Sequence, residues 1–343
     1  MNSKRVIVAM SGGVDSSVTA YKMLEAGYDV IGTTLKMGRA CDTLAIEDAK
    51  LVCQKLNIPH HVLEVAEPFK EKVINYFYDD YLNGKTPNPC ARCNRELKFK
   101  EMLNFMKEQN ADYIATGHYA KIIDNNGIYE LHKASDSKKD QSYFLSTLRY
   151  DDLKHIKFPL YGIEKTETRA IAKSIGLHVA EKNDSQDACF IETDYKDFLF
   201  KNFNIQNRHG YIVNLQKQVV GEHNGIINYT IGQRKGLGIA NKTPLYVIEL
   251  DPINNLVIVG NDEDLFRDSL QIEKINILND EIYNENTEFL CKLRSTHRGE
   301  LGKITIKDGI GTIKLNKPVR AITKGQLCTL YKDTMVVGSG WIM

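Results

Sequence analysis

No stretch of this chain reaches eighteen uninterrupted apolar residues, so no membrane-spanning helix is expected. Its first ten residues, Met1 to Met10, lack the long apolar core and the small-residue cleavage site of a secretory leader, and none is expected. Net charge is nearly absent as well: 45 Lys and Arg against 44 Asp and Glu leave +1. The global balance therefore advertises no nucleic-acid partner, and a polyanion would have to meet a local basic surface. No internal repeat and no low-complexity tract is present. Cysteine is sparse. The seven (Cys41, Cys53, Cys90, Cys93, Cys189, Cys291, Cys328) are odd in number and irregularly spaced. In a chain of 343 residues they do not form a disulfide framework, and a reducing cytoplasm is the simple expectation.

What is present suits an ordinary globular protein. Apolar residues make up 42% and charged residues 26%, enough to bury a sizeable core across two or three domains. The first half alternates strand and helix patterns. Val6 to Met10 is a short apolar run, and Ser16 to Ala26 follows with Val18, Tyr21 and Leu24 at helical spacing. Asp29 to Leu35 is β-branched; Ala45, Ala49, Val52 and Leu56 mark a helical face; His61 to Val65 and Tyr113 to Thr116 are further strands. An amphipathic stretch covers Leu97 to Glu108, and Thr168 to Ile175 reads as a helix ended by Gly176. This order predicts an α/β fold, a doubly wound parallel sheet covered by helices on both faces, over residues 1–199. Asn125-Asn126-Gly127, between two β-patterned segments, predicts a hairpin. Beyond about residue 200 the segments become short and β-rich, with turn signals at Asp251-Pro252, Asn254-Asn255, Asp308-Gly309 and Lys324-Gly325. Two smaller β-rich domains are expected there, over 200–261 and 262–343, the last a β-barrel.

Val6-Ile-Val-Ala9-Met10-Ser11-Gly12-Gly13-Val14-Asp15-Ser16-Ser17 is the most informative segment. A strand enters a Gly-Gly turn and a helix starts at the serines. Glycines let backbone N–H groups approach phosphate oxygens, and the helix N-terminus adds donors and partial positive charge. Asp15 disfavours bare phosphate, which points to a Mg²⁺-bound pyrophosphate or to helix capping. The segment is not a Walker loop, which needs Lys after its last Gly, nor a Gly-x-Gly-x-x-Gly dinucleotide turn. The plain alternative is a tight turn closed by a Ser/Asp cap.

The second signal is Thr86-Pro87-Asn88-Pro89-Cys90-Ala91-Arg92-Cys93-Asn94. A Cys-x-x-Cys between prolines reads as a presented loop. It serves as a redox dithiol, half a zinc site, half an iron–sulfur site, or two incidental thiols. No second pair completes a structural zinc site. The third signal is Asp184-Ser185-Gln186-Asp187-Ala188-Cys189-Phe190-Ile191; taken alone, Cys189 reads as a buried strand thiol.

The Ser-Gly-Gly-Val-Asp-Ser-Ser string resembles the pyrophosphate loop of the ATP pyrophosphatase (PP-loop) superfamily. The full set resembles the tRNA-specific 2-thiouridylase family over nearly the whole chain. Further matches are Ala115-Thr-Gly117-His118-Tyr-Ala120, Lys139-Asp140-Gln141-Ser-Tyr-Phe144, Tyr229-Thr-Ile-Gly-Gln-Arg-Lys-Gly-Leu-Gly-Ile239 and Pro318-Val-Arg-Ala-Ile-Thr-Lys-Gly325-Gln326. The resemblance implies ATP held by Ala9, Met10, Ser11, Gly12, Gly13, Val14, Asp15 and Ser16, with Leu35 and Gly117 lining the adenosine. It implies Cys93 as the catalytic cysteine and Cys189 as the persulfide carrier. It places His118, Lys139, Asp140 and Gln141 on the tRNA, Asn88, Pro89 and Cys90 near the target base, and Arg294, Ser295 and Gln326 as tRNA contacts in the last domain.

Three positions depart from the family. Cys90 stands where many members have Asp, which opens a three-thiol set of Cys90, Cys93 and Cys189. Leu293-Arg294-Ser295-Thr296 stands where an Arg-Tyr pair is usual. Met37-Gly38 replaces a tryptophan often found after the second strand.

The implied reaction adenylates the C2 oxygen of uridine 34 in the lysine, glutamate and glutamine tRNAs, using ATP and Mg²⁺, and then transfers sulfur. A thiolate or persulfide is the side-chain nucleophile suited to that second step. The family implies a Cys189 persulfide, fed by a cysteine desulfurase or a sulfur relay protein, and a closing Cys93–Cys189 disulfide or release of sulfide. Cys90 adds an alternative: three thiolates holding a [4Fe-4S] cluster that carries sulfide, or a zinc ion. The Phe77 to Phe99 stretch, free of an obvious pattern, is a loop that could close over a flipped base. Rival readings are another adenylating ligase acting on a small metabolite, which leaves the three cysteines without work, and a non-catalytic RNA-binding protein.

Overall fold

A computed structural model describes residues 3–39, 41–182, 188–191, 194–203, 205, 208–280, 283–284 and 286–343. Its first layer is a five-stranded parallel sheet built of β1 (Arg5–Ala9), β2 (Asp29–Lys36), β3 (His60–Glu64), β4 (Tyr113–Ala115) and β7 (Ile156–Lys157), in the order β3-β2-β1-β4-β7. The chain leaves β1 toward β2 and β3 and later returns to the other side of β1. That reversal is the topological switch point where open α/β sheets bind ligands, at the carboxyl ends of their strands.

Strand β1 is central because every side chain in its middle is apolar. Val6 and Val8 face one core, shared with helix α1 (Val14–Glu25), and Ile7 faces the other. All three are fully buried, and each such side chain contributes about 1.5–3 kcal/mol on leaving water. Val18 lies on the buried stripe of α1, with Val14 and Met23 rather than Tyr21 and Leu24 as its deeply buried partners. Helix α2 (Asp42–Lys55) buries Ala49 and Val52 as its pattern predicts. The helix expected from Thr168 starts earlier, at Lys165, and ends at Ser174 before Gly176 in the left-handed region.

Residues 77–99 are not a loop. Helices Asn75–Leu82 and Pro89–Cys93 occupy most of the stretch, and the latter runs on through Asn94–Lys98 into Phe99–Glu108, leaving only 83–88 irregular. Phe77, Tyr81, Leu97 and Phe99 are buried apolar residues of the main core, so the segment is anchored rather than free.

Asn126 and Gly127 take the left-handed turn conformation between β5 (Ala120–Asn125) and β6 (Ile128–Lys133), forming the predicted hairpin. Its destination was not legible: it joins a distant sheet. A central sheet contains β8 (Gly210–Val213), β9 (Val219–His223), β10 (Tyr246–Asp251) and β11 (Leu256–Gly260), in the order β10-β11-β8-β9. The last six strands are β12 (Phe266–Ile277), β13 (Phe289–Lys292), β14 (Glu300–Lys307), β15 (Ile310–Arg320), β16 (Leu327–Lys332) and β17 (Met335–Ile342). They run β12-β15-β14-β13-β16-β17, and β17 pairs back with β12 to close an antiparallel barrel. The β5–β6 hairpin attaches to β17 through His132 and Met335.

Candidate active site

The turn after β1 is held by its own hydroxyls. The Ser11 amide and Ser11 Oγ both donate to Ser16 Oγ, at 3.1 and 3.2 Å, while Ser16 Oγ and Ser17 Oγ donate to the Gly13 carbonyl, at 3.0 and 2.8 Å. Gly12 sits at φ +69°, and a Cβ there would collide with the Ala45 backbone. At Gly117, after β4, a Cβ would lie 2.9 Å from the Asp15 carbonyl carbon and the Ser16 amide. Only glycine allows these two backbones to approach so closely. Gly13 caps α1 without a side-chain bond, so the first-turn amides keep their capacity for an anion. Beside the turn, Thr33 Oγ1 is buried and finds no hydrogen-bond partner among the described residues. A cradle of this shape and an unpaired hydroxyl both suit a nucleotide. Leu35 is buried on β2, and with Gly117 it flanks the end of β1.

Two lysines that no motif announced come to this turn. Lys165 Nζ lies 2.6 and 2.7 Å from the two Asp15 carboxylate oxygens, and Tyr119 Oη donates to the same group at 3.0 Å. Lys182 Nζ donates to the Gly12 carbonyl at 3.1 Å and pairs with Asp48 at 2.6 Å. Both lysines are more than a hundred residues from the turn in sequence, so only the fold reveals them. Asp15 is thus an ion-paired carboxylate and not an N-cap. With the Ser11 and Ser16 hydroxyls it offers hard oxygen donors of the kind Mg²⁺ takes alongside substrate phosphates.

The thiols are carried on a different part of the first domain. Asn88 Oδ1 accepts from the Ala91 amide at 3.2 Å and caps the short helix Pro89–Cys93, with Pro89 at its first turn. After Cys93 the helix widens to i→i+5 bonding over Asn94–Lys98, a distortion frequent at functional sites. Cys93 is buried, and burial pushes its thiol up to about 11, with Lys98 opposing and the neighbouring Cys189 and Cys90 adding to the rise. Burial also raises the Cys90 thiol, against the pull of Lys98. Cys189 is exposed at a turn, not buried in a strand, and the Arg39 guanidinium sits against it. Three thiols separated by up to a hundred residues in sequence therefore share one neighbourhood with Lys98 and Arg39.

All seven cysteines are free, so the disulfide is not formed in this structure. Among the described residues, no three His, Cys, Asp or Glu side chains are arranged to hold a metal ion. The three thiols are neighbours but, among the described residues, are not arranged as ligands of an iron–sulfur cluster or of zinc. Asp184, Ser185, Gln186 and Asp187, beside Cys189, lie outside the described residues.

The positions expected on tRNA divide into two kinds. His118 is turned inward: Nδ1 pairs with Thr116 Oγ1 at 2.6 Å and Nε2 faces Lys98 Nζ at 3.4 Å. Burial, then the Lys98 charge, holds its pKa well below the ordinary value, so the ring is neutral. Asp140 accepts from the Ala134 and Ser142 amides and the Ser142 hydroxyl, and Gln141 Oε1 accepts from the Tyr119 amide at 3.0 Å. These two shape the loop that carries Lys139. In the barrel, Arg294 donates to the Arg320 carbonyl at 3.3 Å and Ser295 is exposed. Gln326 Nε2 donates to the Thr86 and Pro87 carbonyls at 3.0 and 3.1 Å.

Comparisons with known proteins identify the family of the chain. Residues 4–193 match the tRNA methyl transferase HUP domain, 196–261 the tRNA methyl transferase PRC-barrel domain, and 267–342 the aminomethyltransferase β-barrel domain. The tRNA-specific 2-thiouridylase MnmA of Clostridioides difficile (strain 630) is 42% identical over 355 residues, covering 99% of this chain and 98% of its own. The protein of the same name from Rickettsia prowazekii (strain Madrid E) is 45% identical over 352 residues, covering 98% of each. Among solved structures, a 4-thiouridine synthetase–RNA complex with bound ATP aligns over 54% of this chain and 44% of its own, at 18% identity and a TM-score of 0.38.

Proposed function

Since the chain belongs to the tRNA-specific 2-thiouridylase family and is a tRNA sulfurtransferase, we propose that its two clusters divide the reaction, the Ser11–Ser17 turn activating the base and the three thiols delivering sulfur. The observation that supports this reading most is the backbone cradle that Gly12 and Gly117 permit at the turn, in a fold that also brings Cys189 near Cys93, 96 positions away in sequence.

In the first step the C2 oxygen of uridine 34 attacks the α-phosphorus of ATP, the base loses its N3 proton, and pyrophosphate leaves. With ATP on the turn, the amides of Gly12–Asp15, Lys182 and Lys165 would stabilise the negative charge that builds on the leaving group. Mg²⁺, held by Asp15 and the phosphates, would neutralise part of that charge. AMP is then a good leaving group on C2. In the second step the terminal sulfur of a Cys189 persulfide bonds to C2 and AMP departs. The Cys93 thiolate attacks Cys189 Sγ, the disulfide forms, and the thiolated base leaves with the transferred sulfur. An external dithiol must reduce the disulfide before the next turnover.

Cys189 suits the carrier because it is exposed, within reach of a donor protein, and faces the Arg39 guanidinium. Cys93 suits the resolving role because burial keeps it a thiol until a partner arrives. Lys139, Arg294 and Ser295 lie on surfaces that would meet the tRNA backbone and the lysine, glutamate and glutamine acceptors. A cytoplasmic setting and a persulfide donor such as a cysteine desulfurase complete the proposal; among the described residues no helix is long and apolar enough to cross a membrane. We place the catalytic domain at 1–199, a central domain at 200–261 and the barrel at 262–343.

The test loads the enzyme with labelled sulfur from a desulfurase and maps the persulfide by mass spectrometry. Label is expected on Cys189 and absent from Cys189→Ser, which should still release pyrophosphate with ATP and tRNA. Label on Cys41, Cys53, Cys291 or Cys328 would refute the assignment.

A further inference from the structure

The barrel meets the thiol helix in an apolar cluster, where Leu327 and Trp341 pack with Ala91, and it holds the segment before that helix through Gln326. Residues 83–88, which lead into the helix bearing Cys90 and Cys93, thread between the other two domains. Gly84, at φ +65°, lies so near the central sheet that a Cβ would sit 3.0 Å from Leu250 Cβ. On the barrel side, the Thr86 amide donates to the Lys324 carbonyl at 2.8 Å, and Gln326 Nε2 donates to the carbonyls of Thr86 and Pro87. Gly325 packs so tightly that a Cβ would lie 2.8 Å from the Thr86 oxygen. Gln326 is itself fixed: its carbonyl accepts from the Ile342 amide at 2.8 Å, and Tyr143 Oη stands 3.5 Å from its Oε1. One residue past Pro87, Asn88 caps the thiol helix. The other end of that helix is tied by Asn94 to the Phe144 carbonyl at 3.2 Å and by Arg95 to the Thr147 carbonyl at 2.9 Å.

We propose that Gln326 is a positioning residue for the Cys90–Cys93 helix, setting the reactivity of Cys93 from the barrel through Thr86 and Pro87. A primary amide nitrogen carries two protons, and both are used on these carbonyls. A nucleic-acid contact by the same nitrogen would require this strap to open. The strap therefore acts in the tRNA-free enzyme, where a contact with tRNA cannot. Holding a reacting group within a fraction of an ångström matters, because a misplacement near 1 Å costs on the order of a hundredfold in rate.

The inference rests on the reading of Cys93 as the resolving thiol, and the test separates the two. Gln326→Glu and Gln326→Met keep the side-chain length and remove both donors; Gln326→Arg keeps N–H donors. Three quantities are measured on each: iodoacetamide labelling of Cys93 across pH without tRNA, tRNA affinity, and single-turnover rates of pyrophosphate release and sulfur transfer. For Glu and Met we expect Cys93 labelling and its pH profile to move by about fivefold and sulfur transfer to fall about tenfold or more. Pyrophosphate release and tRNA affinity should stay within about threefold, and Arg should recover part of the loss. Unchanged labelling with weakened tRNA binding would overturn the inference and make Gln326 a plain tRNA contact. Unchanged values throughout would overturn it too. If one of the first two variants fails to fold, the other decides. A Cys93→Ser enzyme that still thiolates tRNA would instead refute the role of Cys93, while the labelling result would still judge the strap.

Discussion

At the scale of single residues, the chemistry belongs to a few paired charges and neighbouring thiols. Asp15 shows how sequence and structure divide the work. The Ser-Gly-Gly-Val-Asp string made it a candidate for the phosphate side of the site, but Lys165, 150 positions away, was invisible until the fold brought it to 2.6 Å. Asp15→Ala should reduce tRNA-dependent pyrophosphate release by about a hundredfold or more, the usual loss when one preorganised charge is removed from a transition state, and leave tRNA affinity largely intact. Release at the wild-type rate would show that the turn has been misassigned. Cys93 gives a second prediction. With its thiol pushed up to about 11, alkylation of Cys93 in the resting enzyme should rise about tenfold per pH unit and level off only near that value. A plateau near pH 8 would mean that Lys98 outweighs burial. The sequence offered Cys90, Cys93 and Cys189 as a possible metal site. The folded positions make them neighbours without the arrangement a metal needs among the described residues.

At the scale of elements, the legible parts were those with a strong period or a strong turn. Strand β1, helix α2 and the Asn126-Gly127 hairpin follow directly from their patterns. The segment from Phe77 to Phe99 was misread as a loop because its helices are short and the prolines interrupt their pattern. Pro87 and Pro89 instead set up a capped helix start. Its aromatic residues are buried among those of other elements: Phe77 packs edge-on to Phe190, with ring centroids 5.2 Å apart, and Tyr81 stacks on Tyr195 at 4.6 Å. Such contacts depend on tertiary structure and leave no local period.

At the scale of the whole molecule, the change from α/β to short β segments marked the architecture, but not how the pieces lock together. One continuous core contains Ile7 and Ile114 of the parallel sheet, Leu131 of the hairpin, and Leu278, Tyr331 and Val336 of the barrel region. Ser142 and Tyr331 join hydroxyls 3.1 Å apart across the same boundary, and Asn276 donates to the Ser146 and Leu148 carbonyls. A fragment ending at residue 261 should therefore lose the near-ultraviolet circular dichroism of a packed first domain and fail to bind ATP. A fragment that keeps both would show that the two regions fold independently. The same continuity explains how a barrel residue comes to hold the loop before Cys90.

The most direct test of the central claim is nucleoside mass spectrometry of unmodified tRNA incubated with the protein, ATP, Mg²⁺, a persulfide donor and a dithiol. The account predicts 2-thiouridine at the wobble position, formed with release of AMP and pyrophosphate, and none with Cys189→Ser or Cys93→Ser. Absence of any thiolated uridine with the wild-type protein, or undiminished thiolation by Cys189→Ser, would contradict it.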